Sequence, residues 1–142
     1  MPRLEYFVVC ESIAIDGETN RVSLFNIIED IEPVSKGTPG PILAQMVAVS
    51  CWNQQERDEN EDFQVILRIH GKETKDFPMN FRMERPRQRL IQRLQGVPAM
   101  EPGHLRFELL LNGRHAADHV VAVHPQAQTV EDGTDSDTVT KE

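Results

Sequence analysis

The clearest β-strand pattern in this chain is Leu105-Arg106-Phe107-Glu108-Leu109-Leu110-Leu111-Asn112-Gly113. A large apolar side chain stands at every second position of the stretch, and a two-residue period is that of a β-strand with one buried face. The Asn-Gly pair favours a tight hairpin because both residues readily adopt a positive φ. The residues from Ala116 to His124 supply the returning strand. The stretch therefore predicts an antiparallel hairpin.

The same period recurs outward along most of the chain. Predicted strands cover Glu5–Ile15, Arg21–Ile31, Ile42–Trp52, Phe63–Ile69 and Phe77–Met83. The first two form a hairpin, because turn residues separate them. Pro78 lacks a backbone donor, which places its strand at a sheet edge. A further segment, Arg89–Val97, fits both a short helical stripe and a strand, and the surrounding period favours a strand.

Length and strand number indicate one β domain. A chain of 142 residues lies in the usual one-domain range. Seven or eight short strands most simply form a two-layer antiparallel β-sandwich, with closure into a barrel as the alternative. We expect residues 1–125 to form this all-β domain. Beyond Pro125 the large apolar residues are Val130 and Val139, so residues 126–142 are predicted to be a disordered acidic tail.

Composition narrows the setting of the protein. The net charge is −8, and the tail contributes −4 through five acids and one lysine, which leaves −4 on the body. An acidic body disfavours binding to the phosphate backbone of nucleic acid. The sequence shows neither a membrane-spanning apolar stretch nor a secretory signal pattern, so we expect a cytoplasmic protein. Cys10 and Cys51 lie in apolar patterns and are expected to be reduced and buried.

Three stretches carry a resemblance to known proteins. They are Tyr6-Phe7-Val8-Val9-Cys10-Glu11-Ser12-Ile13-Ala14-Ile15-Asp16, then Thr19-Asn20-Arg21-Val22-Ser23-Leu24-Phe25-Asn26-Ile27-Ile28-Glu29-Asp30-Ile31, and Pro102-Gly103-His104-Leu105-Arg106-Phe107-Glu108-Leu109. They are similar to the opening and the closing hairpin of a family of small bacterial proteins of uncharacterised function. The resemblance covers residues 4–124 and implies a compact β-sandwich in a bacterial cytoplasm. It implies no catalytic residues.

Five arginines lie close together in a segment whose only acid is Glu84. They are Arg82, Arg85, Arg87, Arg89 and Arg93. Guanidinium groups bind carboxylates and phosphates in a bidentate manner. The segment therefore predicts a contact for an anionic ligand, for a partner protein or for the chain's own acidic segments. The alternative is a solvated edge strand whose charges prevent edge-to-edge aggregation.

The predicted strand Ile42–Trp52 carries no charge on either face. A sandwich strand normally exposes one face to water, so something must cover its outer face. The candidates are the Pro-rich loop before the strand, the tail and a second copy of the chain. Trp and Met are enriched at the centres of protein interfaces. The predicted self-association face consists of Ile42, Ala44, Met46, Ala48 and Trp52.

Candidate metal ligands are scattered along the sequence. His115 and His119 are four residues apart, so a regular strand would put them on one face but about 13 Å apart, too far to share one ion. Five acids crowd one loop, but their spacing is not that of an EF-hand calcium site. These acids are Glu56, Asp58, Glu59, Glu61 and Asp62. We predict no metal and no cofactor.

Catalytic motifs are missing from the sequence. It contains no Gly-x-Ser-x-Gly, no His-Glu-x-x-His and no glycine-rich phosphate loop. We therefore expect a non-enzymatic protein that acts through protein contacts, as a homo-oligomer or as an accessory subunit. The alternative is a small-ligand or calcium-binding module that uses the loop Glu56–Asp62. Neither a nucleic acid nor a membrane is an expected partner.

Overall fold

Nine β-strands and no helix make up the part of the chain that the computed structural model describes, which is residues 1–31, 45–95 and 102–124. The strands are β1 (Arg3–Ile15), β2 (Val22–Ile27), β3 (Asp30–Ile31), β4 (Met46–Asn53), β5 (Asp62–His70), β6 (Thr74–Arg82), β7 (Arg87–Leu94), β8 (Gly103–Leu111) and β9 (Arg114–Val123). These ranges contain no helix with the length and apolar character that a membrane span requires. The predicted tail, residues 126–142, lies outside them.

The strands form two sheets that pack face to face. The first sheet has the order β2-β1-β4-β7, and the second has the order β3-β9-β8-β5-β6. Neighbouring strands run antiparallel except β3 and β9, which pair in parallel over two residues. The all-β sandwich that the sequence predicts is therefore confirmed.

The core lies between the two sheets and draws residues from both. One buried cluster joins Val9 of the first sheet to Leu67 and Phe107 of the second. Another joins Trp52 of the first sheet to Val65 of the second. Each such side chain contributes roughly 1.5–3 kcal/mol relative to exposure to water. The packing of these alternating residues is the main force that holds the sheets together.

Two edge strands agree with the sequence prediction. Pro78 lies on β6, the outermost strand of the second sheet, opposite Ile66 of β5. The segment that fitted both a helix and a strand is β7, at an edge of the first sheet. In β7 the side chains of Leu90 and Leu94 are buried and that of Arg93 is exposed.

The predicted second strand is divided between the two sheets. The sequence predicts one strand over Arg21–Ile31, but β2 ends at Ile27 and β3 pairs with β9 in the other sheet. Asn26 has a φ of 56°, which interrupts the extended backbone. Ile28 then donates its N–H to the carbonyl oxygen of Val9 at 2.9 Å. This corner raises the number of strands from the predicted seven or eight to nine.

The β1–β2 hairpin covers the outer face of β4. We call its part from Glu11 to Ile27 the arm. Ile13 and Leu24 of the arm pack against a cluster that contains Val47 and Val49, outside the core between the sheets. Val49 is 0% exposed as a result. The arm was not among the covers that the sequence suggested, and the Pro-rich loop and the tail lie outside the described residues.

Candidate functional site

The residues of the predicted self-association face are core residues where the structure describes them. Met46, Ala48 and Trp52 are each 1% exposed and belong to the two clusters between the sheets. Ile42 and Ala44 lie outside the described residues. A contact with a second copy needs exposed side chains, which Met46, Ala48 and Trp52 do not offer. The expectation is corrected for these three residues, because the second sheet buries the inner face of β4.

The predicted arginine cluster is divided between the two sheets. Arg82 ends β6 in the second sheet, and its guanidinium donates to both carboxylate oxygens of Asp62, at 3.0 and 3.2 Å. The other four arginines lie on β7 of the first sheet or just before it: Arg85, Arg87, Arg89 and Arg93. Arg82 is therefore paired with Asp62 and separated from the other four arginines, which stay close together at the first sheet.

Three of these arginines share the outer face of β7. Alternate side chains of a strand point to the same side, so Arg87, Arg89 and Arg93 project together, with Ile91 between the last two. Ile91 packs on the cluster beneath the arm, which identifies this face as the one that points away from the sandwich core. The result is a row of positive charge along an edge strand.

A cleft of about 770 Å³ lies between the arm and this edge of the first sheet. We call it the arginine cleft. Its residues of positive charge are Arg21, Arg85, Arg87 and Arg89, against the single acid Glu84. Tyr6 and Cys51 also line it. The cleft is thus a positively charged concavity in a chain whose net charge is −8.

Two arginines are held in place by contacts at the rim of the cleft. The Arg89 guanidinium donates to Asn20, reaching its Oδ1 at 3.1 Å and its backbone oxygen at 3.3 Å. Arg87 Nη1 donates to Glu5 Oε1 at 3.2 Å. Arg85 makes no side-chain contact of this kind with another described residue. The cleft therefore offers an anion two guanidinium groups that are held in place, those of Arg87 and Arg89. It also offers the Arg85 guanidinium, which is not held by another described residue.

Tyr6 adds a hydroxyl donor to the cleft. Burial raises the pKa of Tyr6, and the nearby sulfur of Cys51 raises it further. Tyr6 therefore keeps its proton at neutral pH and can donate a hydrogen bond to an anion. The interaction with Cys51 also raises the pKa of Arg87.

A second group of ionisable side chains lies on the outer face of the second sheet. Glu108 of β8 and Asp118 of β9 stand opposite each other in register. His70 Nε2 donates to Glu108 Oε1 at 2.7 Å, and His115 Nδ1 donates to Glu108 Oε2 at 2.8 Å. Arg106 Nη1 lies 3.1 Å from Asp118 Oδ1. We call His70, Glu108, His115 and Asp118 the histidine–carboxylate cluster.

Glu108 is the centre of this cluster. Its side chain is 13% exposed, and the hydrogen bonds from His70 and His115 lower its pKa. Like charges directly opposite each other on neighbouring strands destabilise a sheet, so the facing carboxylates depend on the donors around them. The ligand atoms of Glu108, His115 and Asp118 all lie within 4.8 Å of one another, and no other group of this kind occurs among the described residues.

A β-bulge explains why the sequence did not predict this cluster. The register shifts between Leu109 and Leu110, so that Leu109 pairs with Ala117 and Leu110 pairs with His115, leaving Ala116 as the extra residue. His115 therefore lies on the outer face with Glu108, whereas His119 contacts the rings of the core residues Phe7 and Phe107. The expectation that His115 and His119 share one face is wrong for this reason.

The acidic loop does not gather its carboxylates around one point. Asp58 is buried, and it accepts a hydrogen bond from the Gln55 N–H at 2.7 Å. Asp62 is paired with Arg82. Among the described residues, the loop contributes no group of three close ligands. The structure thus gives the predicted calcium alternative no assembled set of ligands.

The two cysteines are buried and unpaired, as the sequence predicts. Burial raises the pKa of the Cys10 thiol, which keeps it protonated and unreactive at neutral pH. Cys51 lines the arginine cleft but is only 3% exposed.

Comparisons with known proteins assign no family. A scan against models of protein families finds no match for this chain. A search of curated proteins finds no relative. The functional argument therefore starts from the two sites themselves.

Proposed function

We propose that this chain is a non-enzymatic binding protein that takes up an extended acidic segment of a partner protein along β7. The observation that supports this function is the row of Arg87, Arg89 and Arg93 on one face of an edge strand, beside the arginine cleft. The proposal keeps the function that the sequence suggests, action through protein contacts. It uses the predicted arginine segment without Arg82 and not the predicted self-association face.

The edge position of β7 suits the addition of a strand. No strand of the described residues pairs with the outer side of β7, so its backbone groups can bind an extended peptide, a common mode of peptide recognition. Side chains of an added strand alternate between the two faces. Acids at every second position of the peptide would therefore lie on the same face as Arg87, Arg89 and Arg93.

The arginine cleft supplies specificity at one end of this row. A guanidinium group binds a carboxylate through two parallel hydrogen bonds, and Arg85 and Arg87 both line the cleft. Tyr6 offers a further donor. A positive patch on an acidic protein also attracts an acidic partner to this surface and repels it from the rest.

Fluorescence anisotropy with two labelled peptides tests the proposal. One peptide alternates Glu and Ser, and the other has the same composition with the Glu residues in one block. We expect the alternating peptide to bind more tightly. The double variant Arg87→Gln/Arg93→Gln should weaken its binding at least about tenfold, which corresponds to about 1.4 kcal/mol. Arg89 is left intact because it contacts the arm.

Arg82→Gln is the matched control. It removes the same charge from the same stretch of sequence, but Arg82 lies on the other sheet and pairs with Asp62. We expect it to leave the affinity unchanged. An equal loss in Arg82→Gln would indicate attraction by net charge alone, and failure of wild type to bind either peptide would refute the proposal.

The proposed contact favours a different partner over a second copy. Pairing of β7 with β7 of another copy would bring like charges opposite each other, which destabilises a sheet. We therefore favour an accessory subunit over a homo-oligomer. Light scattering on the same samples measures the oligomeric state, and a stable dimer that Arg87→Gln/Arg93→Gln strengthens would support pairing of two copies instead.

A small anionic ligand is the second candidate. The volume of the arginine cleft, about 770 Å³, lies in the usual range for small-molecule sites. A thermal-shift screen with phosphate, citrate and Ca²⁺ tests it. A shift with phosphate or citrate that Arg85→Gln removes would favour this candidate. A shift with Ca²⁺ that persists in Asp118→Asn would favour the loop Glu56–Asp62.

We extend the proposal to the cellular setting. The resemblance of the opening stretches from Tyr6 to Ile31 to small bacterial proteins supports a bacterial cytoplasmic protein. Detection of the native protein in the membrane or secreted fraction of its source cells would contradict this part of the proposal.

A further inference from the structure

We infer that Glu108, His115 and Asp118 form a binding site for a divalent transition-metal ion such as Zn²⁺. The site is separate from the arginine cleft, since it lies on the outer face of the second sheet and the cleft lies on the first. The inference does not depend on the proposed function.

The distances between the three ligand atoms are close to those that Zn²⁺ requires. Zn²⁺ binds His nitrogen and carboxylate oxygen at about 2.0–2.2 Å, and a tetrahedral arrangement then separates its ligands by about 3.3 Å. Glu108 Oε2 lies 2.8 Å from His115 Nδ1, and His115 Nδ1 lies 3.9 Å from Asp118 Oδ1. All three ligand atoms lie within 4.8 Å of one another, so side-chain rotations that bring Asp118 closer would place them around one ion, with positions left for water.

The chemistry of the ligand set matches this class of ion. One imidazole and two carboxylates form a mixed nitrogen and oxygen set, which suits Zn²⁺ and its neighbours better than Ca²⁺ or Mg²⁺. His115 binds through Nδ1, so it takes the tautomer that carries its proton on Nε2. The ion also removes the repulsion between the facing carboxylates of Glu108 and Asp118.

His70 provides the support that metal ligands normally have. It donates from Nε2 to Glu108 Oε1, the oxygen that His115 does not use. Ligating carboxylates are commonly held by such outer hydrogen bonds, and loss of one typically costs about 10–100-fold in metal affinity. His70 is therefore a positioning residue rather than a ligand in this site.

Arg106 competes with the ion for the same carboxylates. Its Nη1 lies 3.1 Å from Asp118 Oδ1 and 3.7 Å from Glu108 Oε1. The Arg106 side chain is 40% exposed, so it can turn towards solvent when an ion binds. Arg68 stands opposite Glu108 on β5, but its guanidinium is held by Asp76. Arg106 thus gives the site a signature: removal of this cation should strengthen metal binding.

Isothermal titration of the full chain with Zn²⁺ tests the site, and the visible spectrum of bound Co²⁺ reports the coordination. We expect one ion per chain in wild type. Glu108→Gln and Asp118→Asn should each weaken binding at least about tenfold, as should His70→Gln. Arg106→Gln should tighten it. Asp118→Asn is the safer variant for folding, because Glu108 holds two histidines and Asp118 does not.

His104→Gln is the matched control for adventitious binding by surface histidines. His104 precedes Glu108 by four residues on β8, about 13 Å along the strand, and among the described residues it belongs to no group of close ligands. We expect it to bind Zn²⁺ as wild type does. Failure of wild type to bind Zn²⁺ at millimolar concentration would overturn the inference. So would affinities that respond equally to His104→Gln and Asp118→Asn.

Discussion

The Arg89 guanidinium of β7 donates to Oδ1 of Asn20 at 3.1 Å, which ties the edge of the first sheet to the tip of the arm. The two residues are 69 positions apart in the sequence. Within the arm, Ile13 and Leu24 pack against the cluster that contains Val47 and Val49 and bury the outer face of β4. The contact between Arg89 and Asn20 also fixes one wall of the arginine cleft, because both residues line it.

Loss of this contact should loosen the arm. We expect Arg89→Gln to lower the free energy of unfolding by about 1 kcal/mol, since it removes charged hydrogen bonds at an exposed site. The arm would open more often and expose Cys10, which packs beneath it. Labelling of Cys10 by a thiol reagent, followed by mass spectrometry, should then be faster than in wild type.

Arg93→Gln is the control for this experiment. Arg93 lies on the same face of β7 but makes no hydrogen bond or ion pair with another described residue, so its replacement should leave the labelling rate of Cys10 unchanged. Equal acceleration in Arg89→Gln and Arg93→Gln would show that charge, rather than the contact with Asn20, sets the rate.

The single tryptophan reports whether β4 is buried within one chain. Trp52 is 1% exposed, and its Nε1 donates to Ser50 Oγ at 2.9 Å. We expect acrylamide to quench its fluorescence poorly at every protein concentration, because the burial is intramolecular. Quenching that becomes weaker only as the concentration rises would instead support the self-association face that the sequence predicts.

The sequence predicts the sandwich because its strands keep their period. In β5, Val65, Leu67 and Ile69 are all fully buried, as the alternation requires. The cover over Val47 and Val49 has no such signal. It depends on how the long β1–β2 hairpin folds back over the sheet, and that is a tertiary property of the chain.

The sites are harder to predict for two reasons. Arg82 and Arg87 are close in sequence, but the connection between them passes from one sheet to the other, and no local pattern marks this crossing. The bulge at Ala116 reverses the face on which His115 lies. The sequence pattern of β9 alone cannot locate this bulge, because a residue is extra only in relation to its pairing with β8.

A pH dependence follows from the pair of Arg68 and Asp76. Two hydrogen bonds from the Arg68 guanidinium, at 2.8 and 3.0 Å, lower the pKa of Asp76. A lowered pKa means that the pair stabilises the fold fully above the ordinary Asp value of about 3.9 and that this contribution is lost as the pH falls through the lowered pKa.

Urea unfolding of wild type and Asp76→Asn should show this dependence. Because Asp76 is 42% exposed, we expect a difference in the free energy of unfolding of only about 0.5 kcal/mol at pH 7. The difference should close as the pH falls through the lowered pKa. Glu59→Gln is the control, because Glu59 makes no hydrogen bond or ion pair with another described residue, and it should show no such trend. A difference between wild type and Asp76→Asn that widens in acid would contradict the stabilising role of the Arg68–Asp76 pair.

Pro78 should protect the open edge of the second sheet. It lies on the edge strand β6, where the pairing with β5 continues through it. Proline removes a backbone donor from an edge that could otherwise pair with another chain. We expect Pro78→Val to restore that donor and to increase light scattering at high protein concentration.

Asn80→Val is the control, because it adds the same apolar side chain to the same face of β6 but leaves the backbone donors unchanged. Aggregation in both variants would assign the effect to surface hydrophobicity, whereas aggregation in Pro78→Val alone would assign it to the restored backbone donor.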